Sequence, residues 1–202
     1  LKPNANCPNV DLSNQTLRDL DLQNSNFEGA NFEGAILDGT DFTKANLTKA
    51  NFKKANLRHS ILKQSNMFKA NLENANLARA DLRHTNLKVV TAFNANFDGI
   101  NGWALFGQGS KFDGATFHGS DLNFARMSGS SMKNCDFQAA NFEAAWMANV
   151  NFEGSNFTNA NLQEVKLSNS SLSKANFTGT RIHFANLVDV FMADCINCPV
   201  TW

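Results

Sequence analysis

Residues 45–57 read ANLTKANFKKANL, a phrase that returns every five residues. A helix repeats its apolar face every ~3.6 residues and a half-buried strand every ~2. A strict period of five fits neither. Large apolar residues stand at Leu12, Leu17, Leu22, Phe27 and onward to Leu87, resume at Phe97, and run from Phe112 through Leu122 to Leu187 and Met192. Only Ala92, Gly102 and Gly107 break the series, and the frame is never lost. Two residues before each centre the chain is small, as at Ala45, Ala70, Ser120 and Ala175, with Gln15, Leu20, Ile100 and Leu105 as exceptions. Between them sits mostly Asn or Asp, and the two positions after the centre are mostly polar or Gly. This unit describes a short extended piece followed by a corner, with the small and large residues inward. Asn, Asp and Gly suit such corners through local side-chain bonds and tolerance of positive φ.

The units ANLTK, ANFKK, ANLRH, ANLEN and ADLRH resemble those of the pentapeptide-repeat family over roughly nine-tenths of the chain. The resemblance implies an all-β solenoid, a right-handed quadrilateral β-helix of about nine 20-residue coils with short end caps. At ~4.8 Å per coil the rod is roughly 43 Å long. Stability then comes from stacking coil on coil. Its organisation is expected as an N-terminal cap over 1–10, the repeat over 11–192 and a C-terminal cap over 193–202, each cap blunting open β edges.

Residues 99–110, GINGWALFGQGS, interrupt the pattern. Gly99, Gly102, Gly107 and Gly109 offer freedom, while Trp103, Leu105 and Phe106 offer apolar surface. Two readings stand: a bulged coil whose aromatics fold back onto the rod, or a recognition loop led by Trp103 and Phe106. Three other aromatics sit where polar residues are the rule. Phe124 and Phe184 occupy the second position after a centre and Trp146 the position before one, with Arg126 and Lys166 nearby. Together they mark a candidate edge for a protein partner or for self-association.

The 18 basic and 18 acidic side chains cancel. Residues 43–90 are nevertheless basic, with Glu73 and Asp81 as their only acids. These bases fall around all four faces, a girdle without interleaved aromatics, so nucleic acid is not expected as a partner. Some proteins of the resembled family act on DNA gyrase by mimicking DNA. Inhibition or protection of a DNA-handling enzyme is accordingly the alternative function, and a basic middle fits it poorly. No apolar run approaches the ~20 residues of a membrane helix, so membrane insertion is not expected.

The chain has 18 Phe, 3 Trp and no Tyr, which suits an interior with no polar partner for a ring hydroxyl. Cys135 takes a small inward position as a filler. Cys195 and Cys198 allow a zinc half-site, a redox pair, a local disulfide in the C-terminal cap or two free thiols, with the disulfide preferred and free thiols next. Cys7 lies roughly 40 Å away by coil count. The preferred compartment is therefore extracytoplasmic, a periplasm or thylakoid lumen, with the cytoplasm as the other possibility. His59, His84, His118 and His183 are scattered along the rod, and no catalytic, metal or cofactor motif emerges. The sequence thus reads as a non-enzymatic rigid rod that serves protein interaction or scaffolding, with an unidentified protein partner.

Overall fold

The computed structural model describes residues 1–199. Its backbone makes a corner in every five-residue unit, and each unit pairs with the one 20 residues later. The pairings are isolated parallel bridges, from Asn6 with Asn26 to Asn176 with Ile196, and not long strands. Four units therefore complete one coil, and we call 41–45, 46–50, 51–55 and 56–60, with their repeats, the first to fourth sides. No helix among the described residues is long and apolar enough to cross a membrane.

The backbone hydrogen bonds explain the unit. In 46–50, Asn46 N–H donates down to the Ser25 carbonyl at 2.8 Å, while Leu47 and Lys49 donate up to Asn66 and Phe68 at 2.7 and 2.8 Å. Ala50 N–H closes the corner onto the Leu47 carbonyl at 3.1 Å. One donor remains, Thr48 N–H, and Asn46 Oδ1 accepts it at 3.2 Å. The Asn or Asp of the repeat thus serves the fifth N–H, which no backbone carbonyl reaches. Its amide also links coils: Asn46 Nδ2 donates to Asn26 Oδ1 at 3.0 Å.

Positive φ belongs elsewhere, to the second polar position, as at Lys44 (58°), Lys49 (58°) and Asn74 (56°). A positive φ at the third residue of a four-residue turn is the type II signature. Even Val89 (59°) and Phe124 (58°) adopt it, at a cost of roughly 1 kcal/mol or more each. Stacking offsets that strain. Phe32 lies flat on Phe52 with centroids 4.8 Å apart, and Phe97 on Phe117 at 4.7 Å, one coil later in each case.

Residues 99–110 are neither a bulge nor a loop. Asp81 pairs with Asn101, Asn86 with Phe106 and Thr91 with Lys111, so the segment keeps the register of the rest. The reason is a size exchange between adjoining units. Where the centre shrinks to Ala92, Gly102 or Gly107, the preceding inward residue grows to Val90, Ile100 or Leu105, and all of these except the glycines' missing side chains are buried in the core. A Cβ on Gly102 would stand 2.5 Å from Leu105 Cδ2, and one on Gly107 2.6 Å from Met127 Sδ. Neighbours already fill those places.

The ends differ from expectation as well. Residues 1–10 are not a separate cap, because Asn6 already bridges Asn26. Pro3–Asn4 and Pro8–Asn9 supply the fixed φ and the positive φ that two corners need. The C-terminal ladder likewise continues to Ile196. Of the expected cap 193–202, residues 200–202 lie outside the described residues. Both end coils leave inward residues half-buried, among them Leu12 and Leu17 at one end and Leu187 and Met192 at the other.

Candidate functional site

An unbroken register puts the outward aromatics on common columns. Phe106, Arg126, Trp146 and Lys166 follow one another directly on the second side, each bridged to the next. Lys166 Nζ lies 4.1 Å from the Trp146 ring centre, and the Arg126 guanidinium 5.9 Å from it and 5.7 Å from that of Phe106. Trp103 and Phe124 stand on the corner leading into this side, with centroids 5.8 Å apart, and His84 meets the Trp103 indole edge-on at 4.8 Å. Trp146 and Phe124 are each 51% exposed.

The sequence reading therefore needs two changes. Trp103 and Phe106 are not loop residues; they belong to the edge that Phe124 and Trp146 mark. Phe184 shares the Phe124 column but is separated from it by Ala144 and Glu164 and stands 88% exposed in the last coil. The aromatic cluster does not include it. The signal that could have joined Phe106 to Trp146 is their separation of two whole coils, legible once the register through 99–110 is known.

Hydroxyls are a second feature that sequence reasoning missed. Ser110 Oγ accepts from Val90 N–H at 3.1 Å and donates to the Leu87 carbonyl at 2.7 Å, so it sits inside the corner of the coil below. Ser130, Ser155 and Ser170 repeat the arrangement. Cys135, in the same inward position, points its Sγ at the Phe112 carbonyl at 3.1 Å. Burial pushes its thiol far above the ordinary cysteine range. Cys195 and Cys198 are joined as a disulfide with Cα atoms 5.5 Å apart, and Cys7 and Cys135 are unpaired.

The four histidines lie apart, and no cluster of three His, Cys, Asp or Glu able to hold a metal occurs among the described residues. A shallow depression of about 450 Å³ on the fourth side is lined by Arg58, Arg79, Asp98 and His118. Asp98 there already accepts the His118 backbone N–H at 2.9 Å. On the first side, burial raises the Asp81 carboxyl, but hydrogen bonds and charge from Arg83 outweigh it and leave the carboxyl below its ordinary range.

A profile described as pentapeptide repeats, in eight copies, matches residues 4–34, 25–64, 65–101, 108–138, 135–173 and 155–194. No curated protein matches the chain. Among solved structures, HetL from the cyanobacterium Nostoc, a pentapeptide repeat protein involved in heterocyst differentiation regulation, is 17% identical with a TM-score of 0.52. The alignment covers 91% of this chain and 87% of HetL. A pentapeptide repeat protein from the Arabidopsis thaliana thylakoid lumen is 35% identical over 49% of this chain and 67% of its own, with a TM-score of 0.45. QnrB1, a plasmid-mediated fluoroquinolone resistance protein, is 16% identical over 90% and 89% of the two chains, with a TM-score of 0.47. The fold is the right-handed quadrilateral β-helix.

Proposed function

Because the chain belongs to the pentapeptide-repeat family, we propose that it acts as a rigid interaction rod, presenting fixed side-chain columns to a protein partner. The observation that carries this reading is the edge formed by exposed Trp103, Phe124 and Trp146 with half-buried Phe106, all fixed by a continuous hydrogen-bonded ladder. Contiguous exposed aromatics mark interaction sites on soluble proteins, and aromatic anchors carry much of the energy of protein interfaces. The ladder matters because it holds them without a further ordering cost on binding.

Mimicry of duplex DNA, the role read from the resemblance to gyrase-directed proteins, calls for an acidic surface. The cations beside the cluster favour the protein-binding reading over it. The test uses the protein as bait in an extract of its source, beside a variant carrying Phe124→Ser and Trp146→Ser. A protein held by the wild type and lost by the variant is expected. Identical profiles for two equally stable baits would end the reading.

A further inference from the structure

The four sides share one backbone but not one chemistry. The first, third and fourth each mix acids with bases. On the second side the outward positions hold no carboxylate between Glu28 and Asp189. Over that length they carry Lys49, Lys69, Lys88, Arg126 and Lys166, with Phe68, Phe106 and Trp146 between them. Taken by sequence, the bases of residues 43–90 form a girdle free of aromatics. The register corrects this: on one side they continue as a stripe that aromatics interrupt.

Two independent features set this side apart. The ion pairs among the described residues, Lys53–Glu73, Arg83–Asp81 and Lys174–Glu153, all lie on the first and third sides. Every cation–ring contact lies on the second, including Lys69 over Phe68 at 5.1 Å and Lys88 over Phe106 at 5.5 Å. Lys69, Lys88, Arg126 and Lys166 thus rest against rings, and none of them has a carboxylate partner. The column of Asn26, Asn46, Asn66 and Asn86 also gives way to Phe106, Arg126, Trp146 and Lys166. At Asn46 this position serves the fifth N–H of the unit, and none of the four replacements has an Asn or Asp oxygen to do so. Departures from a local rule concentrate at functional sites.

We propose that the second side binds an acidic polypeptide segment in extended form, laid along the rod. This rests on the reading of the protein as a partner-binding rod and names the partner's chemistry. From Lys49 to Lys166 the coils rise about 29 Å, and the five cations stand one, one, two and two coils apart, about 4.8 or 9.6 Å at a step. Alternate side chains of an extended peptide recur at about 6.7 Å, so a carboxylate at every second residue matches the average density of these cations, whose long stems reach between the steps. Duplex DNA carries a charge every ~1.7 Å, far denser than this stripe. Single strands bind by stacking bases on open aromatic faces, and here Arg126 and Lys166 both attend the Trp146 ring. Glu143 and Glu164, on the corner beside Trp146, border the stripe and bar the acidic segment from spreading onto the first side.

The test is fluorescence anisotropy with three labelled probes of about ten units each: a peptide alternating Glu and Thr, one alternating Lys and Thr, and a thymidine oligonucleotide. The acidic peptide is expected to bind saturably and the others not. Binding should weaken several-fold between about 50 and 300 mM salt. Replacing Arg126→Glu with Lys166→Glu should weaken it about tenfold or more, and a melting curve establishes that this variant is folded. Preference for the oligonucleotide, equal affinity of the reversed variant, or no binding of the acidic peptide would each overturn the proposal. Should the bait experiment still separate wild type from its Ser variant, the rod reading survives and only the acidic chemistry falls.

Discussion

The second and third sides make an instructive pair. Both are built on the same corners, the same 20-residue register and the same inward packing. The third side alternates Glu33, Lys53, Glu73, then Asp113, Lys133 and Glu153 up one column, and Lys53 pairs with Glu73 at 3.0 Å. Acids and bases there stand in each other's reach, and Lys174 and Glu153 form a second pair. The second side leaves its cations without carboxylates and rests four of them, Lys69, Lys88, Arg126 and Lys166, on rings. Identical scaffolding with different charge arrangement teaches that the outward columns vary in chemistry independently of the inward positions.

The comparison breaks most severely if the common scaffold is not in fact common. Gly107 is the centre of its unit on the second side, and Gly107→Leu should destabilise by about 3 kcal/mol, since Met127 and Leu105 already occupy the space. A denaturation midpoint unchanged from wild type would mean that the small–large exchange is not what keeps the register. Next comes the corner that joins the two sides. Removing the inserted hydroxyl with Ser110→Ala should cost about 1–2 kcal/mol, because Val90 N–H and the Leu87 carbonyl lose the group between them. A neutral result would show that the corner closes on itself, as it does between Ala50 and Leu47. The smallest effect sharpens the contrast of surfaces. Lys166→Gln should lower stability by about 0.5 kcal/mol through its lost ring contact, and Lys53→Gln by less, since a surface ion pair contributes little. Reversal of that order, measured in parallel urea titrations at low salt, would remove the energetic distinction between the sides.

The repeat was legible because it is written once per unit: each of Leu47, Phe52 and Leu57 announces its own inward position. Residues 99–110 were misread because packing acts on pairs. Gly102 taken alone is a gap, yet with Ile100 and Leu105 it is a full core. The inward serines read only as small residues, because their partners lie 23 residues upstream, a distance that a local pattern does not display. The edge was half visible. Phe124 and Trp146 stand out against polar neighbours, but Phe106 and Trp103 fall in a segment that reads as either a bulge or a loop, and neither gives them a column. Phe184 was included on spacing alone, and two intervening residues keep it apart.

The unbroken register also governs how such a surface can change. Because each unit advances the chain by a quarter turn, gaining or losing a single unit leaves the interior continuous while carrying every later side chain onto the adjacent wall. One such event between Phe106 and Trp146 would dissolve their column and compose another from residues already present. The molecule therefore resembles a set of dials on one axle, able to offer a different arrangement of letters without a single new letter being cut.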